Sequence, residues 1–466
     1  MKRLRALTLF FLAVAVLGGT ALAVIYRETP RARVPYWEGT GKRVMVVAPH
    51  PDDESLGTAG VIARAVAEKR PVRVVMVTCG DSFFKAAQVF AHKNNPAPAD
   101  YRRMGLARCG ETLQAMRTLG LSEKDVVFLG YPDGATRFLW DSYWDRNHPR
   151  ISGGVDVDRV PYSFALRPGA PYCGQDVVDD LVREITGFKP TDIYYPTSLD
   201  EHPDHWATSA YVKYTLAMLD LHPREHTYLV HRYLWPQPPA PDPRMPLLPP
   251  AELANLVRWG DFPLRPEEIA LKNRALHQYP TQEAVMQPFL WAFVRKTELF
   301  GAPVVLPLTE ERSGPPAFDR WPTRAVIQDA RADTVQRTLE GAVDLIWLRL
   351  QRQGDRLWLR LETREPVSPR VAYFLHLRLF GRGREVKRID LLVRGGRVEV
   401  LHRAANSLSP KVNYFAYRKN MLVLAVEQAQ ISRMRVLMAG AESRYGRGLF
   451  DRTAWRLFDG GGQNIP

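Results

Sequence analysis

Hydrophobic and polar positions change their period along the chain. From Arg43 onward, short β-branched runs alternate with longer stretches in which apolar residues recur every three or four positions. Such alternation is typical of a parallel sheet flanked by helices, and it predicts a doubly wound, mostly parallel α/β domain over residues 40–301. The predicted strands are Val44–Ala48, Val72–Thr78, Val126–Leu129 and Asp192–Tyr195, and the predicted helices are Glu54–Glu68, Tyr101–Leu119, Asp176–Phe188 and Asp204–Leu219.

A proline-rich stretch interrupts this pattern. Pro236–Pro250 contains eight prolines, too many for a helix or a central strand, so a loop is expected there. Pro266–Leu276 and Thr281–Glu298 then show helical periodicity, and we expect both helices to return to the α/β core.

After Pro303 the period becomes two. Apolar and polar residues alternate in Leu345–Leu350, Leu357–Leu361 and Leu375–Leu379. Many short alternating runs with turn residues between them indicate an antiparallel β-sandwich. We place this second domain at residues 315–466.

The N-terminal segment differs from both domains in its composition. Three basic residues among the first five precede Leu7–Tyr26, an uncharged and mainly apolar run that is just long enough to cross a hydrocarbon core of about 30 Å. Residues 1–30 therefore read as an export segment, either a retained transmembrane anchor or a signal peptide cleaved near Ala21–Ala23. The length of the run favours the anchor. The basic start favours an extracytoplasmic body held at the membrane of the cell envelope, the alternative being secretion after cleavage.

Composition narrows the class of protein. A formal charge of +14 attracts anions of any kind, but zinc-finger spacing, RNP-like strands and Walker loops are missing from the sequence, so we expect no nucleic-acid partner. The three cysteines, Cys79, Cys109 and Cys173, are widely spaced. A disulfide framework is therefore not expected, and buried thiols are the favoured interpretation.

Two clusters of histidine and aspartate carry the candidate chemistry. Pro49–Glu54 reads P-H-P-D-D-E directly after the first predicted strand, and His202–His205 reads H-P-D-H after the strand at Asp192–Tyr195. Because open α/β sheets bind ligands at the carboxyl edge of their strands, the two clusters can meet there. Imidazole and carboxylate groups suit a catalytic zinc, which takes about three protein ligands and leaves one position for water. Taken alone, either cluster is explained as well by a helix cap or a surface group.

The two motifs resemble those of the LmbE/PIG-L deacetylases, whose mark is H-P-D-D-E paired with a later H-P-D-H. The resemblance covers roughly residues 43–300 and includes the looser segments Thr78–Asp81, Arg108–Glu111 and Leu129–Gly134. It implies a Rossmann-like, LmbE-like fold and one Zn²⁺ per chain.

The resemblance also implies a role for each motif residue. His50, Asp53 and His205 would bind zinc, Asp52 would be the general base, and His202 would stabilise the oxyanion or act as an acid. Asp204 would orient a histidine of its cluster, and Arg108 would contact the sugar or a neighbouring anion; Asp81 and Asp133 are the further candidate substrate contacts. Some relatives carry a tyrosine two residues before H-P-D-H, but this chain has Asp200 there; Tyr194 and Tyr195 are the nearby alternatives.

Aromatic residues suggest where a sugar would lie. The long insertion between Ala135 and Gln175 is rich in aromatic side chains, among them Trp140, Tyr143, Trp144, Tyr162, Phe164 and Tyr172. They fit either a glycan cleft above the metal or simple packing of the insertion onto the domain. In the β domain, Trp347, Trp358 and Tyr373 fit a carbohydrate platform, although core packing is the favoured interpretation.

The resulting expectation is a zinc-dependent hydrolase that removes N-acetyl groups from N-acetylglucosamine-type sugars in an exported or cell-surface glycan. A first alternative is a zinc amidase or esterase acting on another acylated small molecule, because metal, base and oxyanion partner serve any acyl transfer to water. A second alternative is an inactive envelope protein that binds or assembles glycans.

Overall fold

The computed structural model describes residues 41–303, 305–308, 326–329, 340–446 and 448–460. These residues form an α/β unit followed by a β-rich unit. The predicted membrane helix in residues 1–30 lies outside the described residues. Within the ranges given above, we find no helix that is both long and apolar enough to span a membrane.

The α/β unit is built on one twisted sheet of seven strands. They are β1 (Val44–Ala48), β2 (Val72–Thr78), β3 (Val126–Tyr131), β4 (Asp192–Pro196), β5 (Arg224–Tyr228), β6 (Arg258–Pro263) and β7 (Thr297–Ala302). Their order is β3-β2-β1-β4-β5-β7-β6. The first five pair in parallel, whereas β7 joins β5 and β6 in antiparallel fashion.

Eight described helices accompany this sheet. They are α1 (Asp53–Ala67), α2 (Phe84–Ala91), α3 (Pro98–Thr118), α4 (Thr136–Asp141), α5 (Gly174–Phe188), α6 (Pro203–Leu219), α7 (Pro266–Leu276) and α8 (Pro280–Trp291). Short 3₁₀ turns occur at Glu123–Asp125 and Ala251–Leu253. The strands and helices predicted up to Leu219 are all present, and most of their boundaries agree within three residues.

The central strand explains where the site forms. All five residues of β1 are buried, as expected for a strand whose two faces are both covered by helices. The chain leaves β1 for β2 on one side, and β4 lies on the other side. The loops after β1 and β4 therefore open at the point where the strand order reverses, which is the binding crevice of open α/β sheets.

One predicted helix is wrong in its second half. The expected helix Thr281–Glu298 ends at Trp291, and Thr297–Ala302 forms β7 instead. Met286 already departs from helical geometry and Pro288 lies inside the last turn, where its ring and missing N–H oppose continuation. The predicted loop at residues 236–250 is confirmed, since it contains no helix or strand.

The β-rich unit contains two facing sheets. The first has the order β15-β16-β11-β10-β9, and the second has β14-β13-β12-β17-β19-β8 with β18 paired to β17. The strands are β8 (Val305–Pro307), β9 (Val326–Gln328), β10 (Leu345–Gln353), β11 (Arg356–Thr363), β12 (Val371–Phe380), β13 (Val386–Arg394), β14 (Arg397–Leu401), β15 (Lys411–Arg418), β16 (Met421–Glu427), β17 (Val436–Tyr445), β18 (Gly448–Arg452) and β19 (Arg456–Asp459), with a short helix α9 at Gln430–Arg433. Alternate residues such as Leu348, Leu359 and Leu377 meet in one apolar core. The β-rich character predicted for this region is thus confirmed, and β8, which precedes residue 315, pairs with β19.

The two units share a continuous apolar interface. Trp455 of the β-rich unit is buried against Trp140 of α4, with ring centroids 5.3 Å apart. The indole N–H of Trp206 donates to the carbonyl of Thr453 at 3.3 Å. Burying these large rings together stabilises a fixed arrangement of the two units.

This packing decides the role of most aromatic residues in the insertion. Trp140, Trp144, Tyr162 and Tyr172 are each at most 4% exposed, so they cannot stack on a sugar. For these four the hypothesis of a glycan cleft is wrong. The rings of Trp140 and Trp144 pack against α6, and that of Trp140 also against Trp455 of the β-rich unit, whereas Tyr162 contacts Asp81 and Tyr172 packs against Tyr131 of β3. Core packing likewise accounts for two of the aromatic residues proposed as a platform, the buried Trp358 and Tyr373.

Candidate metal centre

The turn after β1 presents the first cluster. The backbone N–H of His50 donates to Asp53 Oδ2 at 3.0 Å, which folds the turn back on itself. Asp52 has φ +123°, a region that a residue with a side chain rarely occupies and that is found at functional sites. It stands at the N-cap of α1 but makes no side-chain capping bond. Helix capping therefore does not explain Asp52, whose carboxylate is directed elsewhere.

The turn after β4 presents the second cluster. His202 is the N-cap of α6, and its Nδ1 accepts from the backbone N–H of Asp204 at 3.2 Å. Pro203 suits the first position of a helix, where no N–H is needed. His205 follows in the first turn and is fully buried. The start of α6 thus fixes both imidazoles of the motif beside the β1 turn.

Three ligand atoms from the two turns converge. Asp53 Oδ2 lies 3.0 Å from His50 Nδ1 and 3.0 Å from His205 Nε2. Ligand atoms of a tetrahedral zinc with bonds of about 2.0–2.1 Å lie about 3.3 Å apart, so the spacing suits such an ion. The other oxygen of Asp53, Oδ1, is buried without a hydrogen-bond partner. The donor set and this unpartnered oxygen both fit a bound divalent cation.

We call His50, Asp53 and His205 the trio. Each of its two imidazoles contacts a carboxylate through the ring nitrogen that faces away from Asp53. His50 Nε2 lies 3.2 Å from Asp204 Oδ2 and 3.2 Å from Asp133 Oδ1. His205 Nδ1 lies 3.1 Å from Asp200 Oδ2. Histidine ligands of metal sites usually donate their second N–H to a carboxylate, which sets the tautomer and the ring orientation. The arrangement directs His50 Nδ1 and His205 Nε2 toward the shared position beside Asp53.

Asp204 is held in place for this task. Its Oδ1 accepts from Thr136 Oγ1 at 2.6 Å and from the Thr136 backbone N–H, and its Oδ2 accepts from the Gly134 backbone N–H at 2.6 Å. Asp204 was expected to orient a histidine of its own motif. In the structure its carboxylate instead faces His50 of the other motif.

Electrostatics at the two ligand imidazoles favour positive charge. Burial opposes an imidazolium, but hydrogen bonds to the surrounding carboxylates, that of Asp133 above all, raise the pKa of His50 well above its usual value. Burial opposes a charge on His205 as well, yet Asp200 and Asp53 raise its pKa to about 9. A divalent cation bound by His50 Nδ1, Asp53 Oδ2 and His205 Nε2 would displace the protons from these two ring nitrogens, while the far nitrogens would keep their protons facing the carboxylates behind them.

Two further imidazoles nearby are held neutral. Burial lowers the pKa of His202 to about 4 and that of His231 to about 3. Since His202 Nδ1 accepts a hydrogen bond, a neutral His202 carries its proton on Nε2. That N–H is available as a donor at the edge of the site.

The candidate base is positioned by Arg108. Its guanidinium donates to the carbonyls of Pro51 at 2.8 Å and Gly80 at 2.7 Å, and it lies 3.3 Å from Asp52 Oδ2. Burial raises the pKa of Asp52, and the charge of Arg108 opposes that rise. Arg108 is only 3% exposed. The sequence predicted that Arg108 contacts either the sugar or a neighbouring anion. The structure contains the second of these contacts, with the carboxylate of Asp52.

The other candidate substrate contacts differ in position. Asp133 faces His50, as described above, and its Oδ2 accepts from the Ser82 backbone N–H at 2.7 Å. Asp81 is fully buried, accepts from Tyr162 Oη at 2.5 Å, and has its pKa raised by burial to about 7. Only Asp133 of the two contacts a residue of the metal trio.

Neither tyrosine named as an alternative reaches the trio. Tyr194 stacks on His226 with ring centroids 4.4 Å apart, and Tyr195 Oη donates to Glu225 at 2.5 Å. Both rings are buried, and because the two residues are consecutive in β4 their side chains point to opposite faces of the sheet. Asp200 stands two residues before H-P-D-H, at the position where some relatives carry tyrosine. Besides facing His205, its carboxylate accepts hydrogen bonds from the backbone N–H groups of Val230 and His231.

Sequence reasoning missed His231. Its ring nitrogens lie within 4.8 Å of the ligand atoms of the trio, and the four residues together form a candidate metal cluster. His231 follows β5, whose carboxyl end lies at the same sheet edge as those of β1 and β4. Predicting a strand at Arg224–Tyr228 would have placed this histidine at the site.

Fold and site together define the class: an α/β protein with a buried His/Asp cluster, of a composition that could hold a metal ion, at the switch point of its sheet. Residues 45–216 match the family model described as PIG-L: GlcNAc-PI de-N-acetylase. The resemblance to the LmbE/PIG-L deacetylases, inferred from the two motifs, is therefore confirmed for this segment.

Curated relatives point the same way. The 1D-myo-inositol 2-acetamido-2-deoxy-alpha-D-glucopyranoside deacetylase of Mycobacteroides abscessus is 36% identical over 124 residues, which are 26% of this chain and 41% of that protein. The enzyme of the same name from Mycobacterium avium is 38% identical over 166 residues, covering 35% and 47%. The chain thus spans less than half the length of these two relatives.

Solved structures are more distant. The zinc inhibited form of teicoplanin deacetylase Orf2 is 16% identical, with 56% of this chain and 97% of that chain covered and a TM-score of 0.36. The N,N'-diacetylchitobiose deacetylase of Pyrococcus horikoshii is 17% identical, with 56% and 82% covered and a TM-score of 0.35. At these scores the likeness carries no argument about mechanism.

Proposed function

We propose that the protein is a zinc-dependent N-deacetylase that acts on N-acetylglucosamine-type sugars. The observation that carries the proposal is the convergence of His50 Nδ1, Asp53 Oδ2 and His205 Nε2 within 3.0 Å contacts. Supporting it are the match of residues 45–216 to a de-N-acetylase family and relatives named as deacetylases of acetamido sugars.

His50, Asp53 and His205 would hold the zinc. When bound, zinc acts as a Lewis acid on a carbonyl and lowers the pKa of a water to about 7. The carboxylates behind the two imidazoles strengthen them as ligands, because each accepts the proton of the distal ring nitrogen. The same carboxylates keep the rings from turning away.

Asp52 would accept the proton of the attacking water. Its carboxylate is adjacent to Asp53 in sequence, is free of the helix cap, and is held by Arg108 at 3.3 Å. Its strained backbone fixes the direction of the carboxylate before substrate arrives. A general base positioned in this way contributes about 10²–10⁴-fold to the rate.

His202 would stabilise the oxyanion. Its ring lies 4.6 Å from that of His50, and its Nδ1 is occupied by the Asp204 backbone N–H. The neutral ring therefore points an N–H toward the position where negative charge develops on the amide oxygen. Collapse of the tetrahedral intermediate then requires a proton on the leaving amine, which Asp52 can return. The products are acetate and a free amino sugar.

The N-terminal run Leu7–Tyr26 supports an extracytoplasmic location for this reaction. We therefore propose an aminosugar-containing glycan or glycoconjugate of the cell envelope as the partner, with the chain anchored in the membrane by that run. Fusion of a protease-cleavable tag or a periplasmic reporter at the C-terminus would report the side of the membrane on which the body lies.

Acetate release tests the activity. The full chain, stripped with a chelator and reloaded with one equivalent of zinc, is assayed on N-acetylglucosamine glycosides, chitooligosaccharides and O-acetylated sugars. We expect release of acetate from the acetamido sugars only, lost on chelation and regained with zinc. Hydrolysis of the O-acetyl esters alone would replace the proposal with an esterase, and absence of turnover on every acylated sugar would contradict it.

A further inference from the structure

His231 lies next to the trio but has no role in the reaction proposed above. It stands three positions after the end of β5. One of its ring nitrogens lies within 4.8 Å of a ligand atom from each residue of the trio. Two ligands of one zinc ion can lie at most about 4.2 Å apart, since each bond is about 2.0–2.1 Å long. A small inward shift of the ring is therefore enough to bring this nitrogen to a metal held by the trio.

The backbone of His231 is fixed by the loop after β4. Its N–H donates to Asp200 Oδ2 at 3.0 Å, and its carbonyl accepts from the backbone N–H of Glu201 at 3.0 Å. The same Asp200 Oδ2 lies 3.1 Å from His205 Nδ1. One carboxylate thus orients a ligand imidazole and holds the backbone that carries His231. This chain has aspartate at that position, where some relatives have tyrosine.

The ring of His231 is confined by three other rings. It stacks on Phe289 of α8, with centroids 5.5 Å apart and planes 10° apart. The ring of His205 meets it nearly at a right angle at 4.7 Å, and the ring of His202 lies 5.0 Å away. These contacts hold the imidazole of His231 at the edge of the metal centre.

The nitrogens of this ring are not engaged elsewhere. Within the part of the chain that the structure describes, no hydrogen bond involves either ring nitrogen of His231. The neighbouring His202 differs, because its Nδ1 accepts the backbone N–H of Asp204. An imidazole that serves packing alone usually finds a hydrogen-bond partner when it is largely enclosed. The unshared electron pair of a neutral imidazole is also what a divalent metal binds.

We propose that His231 is a fourth protein ligand of the metal when no substrate is bound. This inference rests on the zinc site of the proposed function. A catalytic zinc keeps one position for water, so a fourth protein ligand has to be one that can withdraw. His231 meets this requirement, because it lies on a loop and is partly exposed, whereas His50, Asp53 and His205 are buried. Its withdrawal would open the site.

X-ray absorption spectroscopy at the zinc edge tests the assignment. The full chain is stripped with a chelator, reloaded with one equivalent of zinc and measured without substrate. Multiple scattering from the imidazole rings counts the histidine ligands. We expect three imidazoles per zinc, those of His50, His205 and His231. A count of two would overturn the assignment and leave His231 as a packing residue.

Two variants locate the third imidazole. His231→Phe keeps a ring that can stack on Phe289 but offers no ligand atom, so the count should fall to two. The zinc Kd should rise at least about tenfold, because losing a residue that only backs a ligand already weakens binding about 10–100-fold. His277→Phe is the matched control: His277 also packs on an aromatic ring, that of Trp291 at 5.1 Å, and belongs to neither described metal cluster.

The control should keep three imidazoles and the wild-type Kd, and the melting temperature of each metal-free protein reports whether it folds. A His231→Phe protein with the count and the Kd of the wild type would overturn the proposal.

Acetate release from the same samples separates this inference from the proposed function. Three imidazoles in a wild-type protein that releases acetate from no acylated sugar would refute the deacetylase and leave the ligand assignment standing. Two imidazoles in a wild-type protein that does release acetate would refute the assignment and leave the deacetylase standing. A wild-type protein that binds no zinc would overturn both.

Discussion

Two buried clusters of charge in this molecule are organised in opposite ways. In the β-rich unit, Asp390 is surrounded by basic partners: its Oδ1 accepts from His376 at 2.6 Å and from Arg378 at 2.9 Å, and Arg388 lies 3.8 Å from Oδ2. These bases hold the pKa of Asp390 far below its usual value against the effect of burial. This cluster balances its charge without a ligand.

The metal centre is acid-rich by comparison. Five carboxylates converge on it, those of Asp52, Asp53, Asp133, Asp200 and Asp204, and all are buried. Among their described contacts, one guanidinium supplies permanent positive charge, that of Arg108. Burying so many acids is costly unless a cation compensates them. The comparison teaches that a buried cluster in which acidic and basic side chains balance can serve structure alone. A buried cluster with an excess of carboxylates needs a further cation, such as a metal ion.

The largest expected effect is on turnover at the acid-rich centre. Asp52→Asn removes the proposed base but keeps the shape of the side chain, so kcat should fall about 10²–10⁴-fold with zinc retained. Steady-state acetate release and metal analysis of the same sample measure both. Wild-type turnover by the zinc-loaded variant would show that Asp52 is not the base.

In the balanced cluster, the corresponding change should affect stability instead. Asp390→Asn leaves buried basic groups without their counter-charge, which typically costs about 3–5 kcal/mol of folding free energy. Chemical denaturation measures the loss. Asp158→Asn is the matched control, because Asp158 pairs with Arg159 at the surface and exposed pairs contribute at most about 1 kcal/mol. Equal losses for the two variants would contradict the comparison.

Metal affinity should depend on the carboxylate behind His205. Asp200→Asn keeps an oxygen that can accept the Val230 and His231 backbone N–H groups but removes the charge. Loss of such a partner usually weakens metal binding about 10–100-fold. Competition with a chromogenic chelator measures the zinc Kd, and the melting temperature of the metal-free protein controls for folding. An unchanged Kd would remove Asp200 from the metal centre.

The smallest expected effect is a shift of the pH profile. The proposed mechanism requires Asp52 to be ionised, so kcat/KM should be lost as the pH falls through the pKa of this carboxyl group. The charge of Arg108 lowers that pKa, so Arg108→Gln should move the acid limb to higher pH. Arg108→Lys retains a positive charge and should move the limb less. An acid limb of Arg108→Gln at the same pH as that of the wild type would show that Arg108 does not act on the base.

Much of the α/β unit could be predicted from the sequence because its signals are local. β1 is a run of five apolar residues, and both histidine motifs lie in or just after the loop that follows a strand. Once those strands were assigned to one parallel sheet, the meeting of the two motifs followed from topology. The roles of Asp133 and Asp200 behind the ligand imidazoles did not follow, because they depend on distances across the sheet edge.

Other features could not be predicted, because they depend on contacts between distant parts of the chain that a local sequence pattern does not reveal. The aromatic residues of the insertion have the composition of a sugar cleft, yet Trp140 is packed against Trp455, which lies over three hundred positions later in the chain. The predicted helix Thr281–Glu298 ends at Trp291, and its last two residues belong to β7, which pairs with β5 and β6 in the sheet. His231 was missed for a related reason, since β5 has mixed polarity and little strand signal of its own.

The most direct test of the account is the metal content of three purified proteins after dialysis against limiting zinc: wild type, Asp53→Asn and Asp52→Asn. The trio of His50, Asp53 and His205 predicts about one equivalent of zinc in the wild type and in Asp52→Asn, and little in Asp53→Asn. Inductively coupled plasma mass spectrometry gives the ratio of zinc to protein. A wild-type protein that retains no divalent metal, or an Asp53→Asn variant that retains as much as the wild type, would contradict the central claim.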